Sequence, residues 1–161
     1  DDPDTANSGE GSGITDRGCH ERCSGTPTPP PWPTPTVTPL PMTIEVDISM
    51  PAAIFEPGMI CGCTVLVTVD GAAPLTGHPL LVLLDVYGAL FFAPSFTPVF
   101  DSYLAQYPAF PVGETMVTVI DSFEWPSGAG AASHIVWYAG ITDPQITLLR
   151  STIGFFEFGW R

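Results

Sequence analysis

Between residues 26 and 42 the chain reads Thr-Pro-Thr-Pro-Pro-Pro-Trp-Pro-Thr-Pro-Thr-Val-Thr-Pro-Leu-Pro-Met. Each proline fixes φ near −65° and removes a backbone donor, so neither a helix nor the interior of a sheet can be built from this segment. Proline at this density enforces polyproline II, an extended rod rising about 3.1 Å per residue. Roughly 15 such residues reach ~45 Å, more than the diameter of a domain of about 120 residues. An arm of that length is able to touch a neighbouring molecule.

Residues 1–25 are a Gly/Ser/Asp stretch with almost no large apolar side chain. Such a segment cannot offset its ordering entropy of about 1–2 kcal/mol per residue by packing on itself, so any order it gains comes from a folded surface, its own or another copy's. Trp32, Val37, Leu40 and Met42 are the expected anchors of this arm, residues 1–42. Thr26, Thr28, Thr34, Thr36 and Thr38 alternate with prolines, a composition that suits O-linked glycans as well as a bare stiff spacer.

From residue 43 to residue 161 the pattern changes to that of a single folded domain. Thr43 to Ser49 alternates Ile44, Val46 and Ile48 with Glu45 and Asp47, the signature of a half-buried strand. Cys61, Cys63, Val65, Val67 and Val69 share one face of a second strand, while Leu80 to Leu84 is continuously apolar and predicts a central strand covered on both faces. Glu114 to Ile120, His134 to Ile141 and Ile153 to Trp160 complete the set, the last with Phe156, Phe158 and Trp160 opposite Phe155 and Glu157. Helical turns are expected where Phe100, Tyr103, Leu104 and Tyr107 recur at helical spacing and where Asp143-Pro144 offers an N-cap followed by proline. Six or seven strands separated by turns predict an all-β fold, an antiparallel immunoglobulin-like β-sandwich carrying an extended Pro/Thr-rich N-terminal arm.

With 17 acidic side chains against four arginines, the chain has a formal net charge of −13, which excludes nucleic acid as a partner. No run approaches the roughly 20 apolar residues of a membrane span. The chain begins Asp1-Asp2-Pro3-Asp4, with neither an initiator Met nor a signal-like apolar stretch, so a processed, secreted extracellular product is expected.

Catalytic chemistry is not expected. Three histidines are present, His20, His78 and His134, and no nucleophile elbow, metalloprotease helix or phosphate-binding glycine loop accompanies them. An enzyme would need a pocket in which His78 or His134 meets a carboxylate. Glu45 and Asp47 project from one strand face; a solvated face is the plain reading, and a Ca²⁺ shared with a neighbouring copy, with further oxygens from Asp1, Asp2 and Asp4, is the sharper one. No cofactor is otherwise expected. The cysteines form two sequence pairs, Cys19 with Cys23 and Cys61 with Cys63, whose spacing misses the usual zinc pattern, so disulfides are expected in an exported chain. Cys19 and Cys23 could pair locally, or each could join one of Cys61 and Cys63 and staple the arm down.

A resemblance adds to this. Met50-Pro51 with Phe55-Glu56-Pro57-Gly58, Pro79-Leu80 through Leu84-Asp85-Val86-Tyr87-Gly88, Phe91-Phe92-Ala93-Pro94-Ser95-Phe96, Phe110-Pro111-Val112-Gly113-Glu114, Trp125-Pro126-Ser127-Gly128, Thr142-Asp143-Pro144 and Phe156-Glu157-Phe158-Gly159-Trp160 resemble a β-sandwich module at the C-terminal ends of large secreted bacterial proteins, where it follows a Thr/Pro linker. The spacing is also similar to bacterial immunoglobulin-like domains related to cell adhesion. The whole chain looks like a subunit of an extracellular bacterial fibril, which implies that its partner is itself, in a helical homopolymer. Its sandwich would receive the arm of the next copy on a surface including Phe91, Phe92, Phe155 and Trp160. The alternative is a cell-surface binding or sorting module whose exposed aromatics contact carbohydrate or envelope.

Overall fold

The computed structural model describes residues 42–161. The arm residues Trp32, Val37 and Leu40, the cysteines Cys19 and Cys23, and the threonines Thr26, Thr28, Thr34, Thr36 and Thr38 lie outside the described residues. Ten strands follow one another: β1 Thr43–Ser49, β2 Ile54–Phe55, β3 Ile60–Asp70, β4 Leu75–Thr76, β5 Leu80–Val86, β6 Ala89–Ala93, β7 Ala109–Phe110, β8 Gly113–Glu124, β9 Ala132–Ile141 and β10 Gly154–Trp160. There is no helix among the described residues, hence none long and apolar enough to cross a membrane.

The strands form a three-stranded sheet in the order β1-β3-β8, a five-stranded sheet in the order β2-β10-β9-β5-β6, and a small β4-β7 ladder. Period-two alternation explains how the two large sheets close on one another. Ile44, Val46 and Ile48 of β1, Cys61, Cys63, Val65, Val67 and Val69 of β3, and Val117 and Val119 of β8 are buried in one core with Leu80 and Val82 of β5, Ile135, Trp137, Ala139 and Ile141 of β9, and Phe158 of β10. Each large side chain so buried contributes about 1.5–3 kcal/mol. The result is an all-β sandwich, as the alternation predicts.

The pairing is antiparallel throughout the large sheets except at one place. β2 runs parallel to β10, with Gly159 opposite Ile54 and Trp160 opposite Phe55, so the five-stranded sheet is mixed while the three-stranded sheet is antiparallel as expected. The β5–β6 hairpin shows the local chemistry plainly. Val86 pairs with Ala89, leaving Tyr87 and Gly88 as a two-residue loop with φ of 54° and 89°, the doubly positive geometry that matches strand twist. The Gly88 amide donates to Asp85 Oδ1 at 2.7 Å, which holds the turn.

Both segments expected to make helical turns form single turns. After Phe100 the chain makes one turn in which the Gln106 and Tyr107 amides both donate to the Tyr103 carbonyl, at 3.2 and 2.8 Å. Tyr103 is buried and Tyr107 stacks on Phe110 at 5.9 Å, so core packing rather than helical propagation uses these aromatics. At Asp143 the carboxylate accepts the amides of Thr147 and Leu148 at 2.6 and 3.0 Å and the Thr147 hydroxyl at 2.7 Å, closing a polar loop instead of capping a helix.

Candidate functional site

The edges of a sheet are where another chain can pair, because each carries a row of unpaired N–H and C=O groups. Three of the four edges of the large sheets are covered or short. Along β1 the Thr152 amide donates to the Ile44 carbonyl at 3.1 Å and the Val46 amide donates to Thr152 Oγ1 at 2.9 Å. Along β6 the Phe92 amide donates to the Thr97 carbonyl at 2.8 Å. β2 is two residues long.

β8 is different. It has 12 residues, pairs with β3 from Gly113 to Glu124, and has no strand on its other side among the described residues. No proline interrupts it. Its inward Val117 and Val119 are buried, and its outward Met116 is 67 % exposed. From Gly113 to Thr118 β8 pairs with β3 in unbroken register, and beyond it the register shifts twice before Phe123; the regular stretch with its free edge is the place in this fold best built to accept a further strand.

The outer face of the five-stranded sheet carries a second feature. Phe92 pairs with Leu83, Leu83 with Tyr138, and Tyr138 with Phe155, so one apolar row crosses four strands. Phe100 packs on Phe92 with ring centres 5.5 Å apart. Beside the row an apolar cleft of ≈ 200 Å³ is lined by Leu81, Leu83, Tyr138, Gly140, Leu149 and Ile153. The run Leu80 to Leu84 is therefore covered on its inner face alone; outside, Leu81 and Leu83 stay half-buried. This corrects the expectation of a strand buried on both faces.

Of the four aromatics expected on a receiving surface, the structure brings Phe92 and Phe155 onto that outer face. Phe91 lies on the other face of β6, opposite Leu84. Trp160 belongs to a separate cluster, 5.1 Å from Trp125 and 6.2 Å from Phe158, with Nε1 donating to the Ala129 carbonyl at 3.1 Å. Met42 is exposed and lies over Gly71, where an added Cβ would meet its Cγ at 3.1 Å.

Cys61 and Cys63 are both buried in the core and are not bonded to each other; Cys19 and Cys23, with which each could pair, lie outside the described residues. Burial pushes both thiols up, Cys63 to about 12 with a further contribution from Cys61. A neutral buried thiol is a poor nucleophile. Their strand is irregular here, with register shifts between Cys61 and Cys63 and between Cys63 and Thr64.

Glu45 and Asp47 are exposed on the outer face of β1, and no group of three or more His, Cys, Asp or Glu side chains converges to hold a metal ion among the described residues. His78 Nδ1 lies 2.8 Å from the Thr76 carbonyl. His134 Nδ1 lies 2.6 Å from Glu157 Oε1, with the two side chains 80 % and 52 % exposed. That is the pairing an acid–base site would use, but it stands on the open face of the sheet, where nothing excludes water.

No protein-family profile and no curated protein matches the chain. Among solved structures it is similar to the CARDB domain of a Pyrococcus furiosus protein in solution, at 15 % identity over 74 % of this chain and 94 % of that one, with a TM-score of 0.46. The crystal structure of the same domain in complex with di-metal ions gives 13 % identity over 74 % and 93 %, with a TM-score of 0.42.

Proposed function

We propose that this chain is a structural subunit of an extracellular filament, an immunoglobulin-like sandwich that self-assembles when the N-terminal arm of one copy docks on the sandwich of the next. The free edge of β8 carries this assignment: the strand has no partner on its outer side among the described residues and is regular from Gly113 to Thr118, while the other large-sheet edges are covered or short. A donor arm and an acceptor edge on the same chain make a head-to-tail contact, and such a contact propagates into a filament unless the rotation closes.

Charge sets the conditions. Copies carrying a formal net charge of −13 repel one another at long range. That repulsion is screened at separations beyond about 8 Å in physiological salt, so assembly is favoured as ionic strength rises.

The test is electron microscopy and sedimentation of the full chain beside a variant lacking residues 1–41. The full chain is expected to form filaments, more readily with added salt, and the truncated chain to remain a folded monomer with the same far-UV spectrum for its strands. A full chain that stays monomeric at millimolar concentration with salt present would overturn the filament assignment and favour a surface-binding module.

A further inference from the structure

Building on that arm-docking assembly, we infer that residues 32–40 pair as a one-sided strand with the free edge of β8 in the neighbouring copy, and that the proline pattern makes this added strand the last one the sheet can take. From residue 31 to residue 41 the prolines are 31, 33, 35, 39 and 41, all at odd positions, while Trp32, Thr34, Thr36, Thr38 and Leu40 hold the even ones. In an extended strand the N–H and C=O of alternate residues point to the same edge. The even residues therefore present an unbroken set of donors and acceptors along one edge. Along the other, Val37 alone keeps its N–H.

Proline is tolerated in sheets where its missing donor faces away from the ladder, that is, on edge strands. A segment with every proline in one register satisfies that condition along its whole length. Backbone conformation agrees, since a residue preceding proline is pushed toward extended geometry. A segment whose prolines fix φ has less freedom to lose on pairing. The regular part of β8, Gly113 to Thr118, offers about 20 Å of unbroken edge, enough to pair about six of the nine residues, which span ~30 Å at about 3.3 Å each.

Reach decides which copy accepts the strand. Met42 adjoins Thr43, which pairs with Asp70 of β3, and β8 lies on the far side of β3. With strands about 4.8 Å apart, a new strand beyond β8 lies ~14 Å from the line of β1. Leu40 is two residues from Met42 and so at most about 7 Å away. The segment through Leu40 cannot lie on its own β8. A strand paired through Leu40 therefore belongs on another copy's β8.

Once seated, the added strand shows solvent an edge stripped of every donor but the Val37 N–H. Proline on an exposed edge is a device that blocks further pairing. Each sandwich thus accepts one arm, and growth runs along the filament rather than sideways into aggregates.

The test compares two proline substitutions in the full-length chain. Val37→Pro adds a proline in the odd register and leaves every even donor intact; Thr36→Pro removes one even donor. Val37→Pro is expected to assemble with a critical concentration within about threefold of the native chain, whereas Thr36→Pro raises it by about tenfold or more, the effect of one lost hydrogen bond and a misfitted ring. On the acceptor side, alternate amides of β8 are expected to become protected from hydrogen exchange in filaments. Equal effects of the two substitutions, or β8 amides that exchange as fast in filaments as in monomers, would overturn the one-sided strand while leaving arm docking in place. Filaments that persist after deletion of residues 1–41 would remove arm docking itself.

Discussion

Gly154 on β10 lies so close to Val46 on β1 that a Cβ at position 154 would stand 2.7 Å from the Val46 carbonyl oxygen and 3.2 Å from the Asp47 Cα. The two residues belong to different sheets, and their approach is the point at which the sandwich is drawn together beside the Thr152 contacts along β1. A side chain here meets backbone on the opposite sheet, which cannot swing aside as a rotamer would.

Gly154→Ala is accordingly expected to destabilise the sandwich by about 1–3 kcal/mol, the usual cost of overpacking. The measurement is the urea midpoint of a chain lacking residues 1–41, so that assembly does not contribute. An unchanged midpoint would show that β1 and β10 separate more easily than their spacing implies.

The alternation on β10 gives a paired prediction. Phe155 is 67 % exposed and its ring side faces out beside Tyr138, whereas Phe158 is 8 % exposed and packs 6.3 Å from Phe55. Phe158→Ala is expected to cost about 3–5 kcal/mol through the cavity it leaves, and Phe155→Ser to stay within about 0.5 kcal/mol. Equal costs in equilibrium unfolding would mean that the outer face is covered in the isolated protein.

The strands were legible where one face is buried. The alternation of Ile44, Val46 and Ile48 against Glu45 and Asp47, and of Phe156 and Phe158 against Phe155 and Glu157, places β1 and β10 within a residue or so of their ends. What the sequence hides is non-local. β2, β4 and β7 are two residues each and exist because a distant strand passes beside them. The apolar run of β5 reads as doubly buried, yet one side faces a shallow cleft, since an apolar residue does not say whether its cover belongs to the same molecule. The free edge of β8 is hidden for a similar reason. Its valines and threonines would alternate identically with a neighbour on both sides, and strand order alone makes it an edge. Helical spacing at Phe100, Tyr103, Leu104 and Tyr107 marks the single turn that forms at Tyr103.

Burial in the core also fixes an alkaline limit. Desolvation pushes the Cys63 thiol from 9.0 to about 12, aided by Cys61, and the Tyr103 phenol from 10.0 to about 12, aided by Cys63, Tyr107 and Asp101. Both groups stay neutral in the folded chain while the unfolded chain ionises them from about pH 9 and 10. Their contribution is therefore complete below pH 9 and falls as pH rises toward 12, by about 1.4 kcal/mol per pH unit for each group ionised in the unfolded state alone. Urea midpoints of the truncated chain are expected to drop steadily from pH 9 to pH 11. Constancy across that range would contradict the burial of both groups.

At the acid end the titrating element is the loop closed by Asp143. The Thr147 hydroxyl, followed by the Leu148 amide, the Thr147 amide and the attraction of Arg150, holds this carboxyl below its ordinary 3.8, slightly opposed by desolvation. A depressed value in the folded chain means that the contribution is present above 3.8 and is lost as pH falls through the lower, folded value. Protonation removes the acceptor from the Thr147 and Leu148 amides together, at 2.6 and 3.0 Å, so the loop 143–148 is expected to loosen in acid while the sheets persist. The amide proton shifts of Thr147 and Leu148 report this directly, moving together with a midpoint below 3.8. Asp143→Asn should abolish the transition, because the amide side chain keeps an acceptor without titrating. A midpoint at or above 3.8, or two amides that titrate apart, would mean that the carboxylate does not hold both at once.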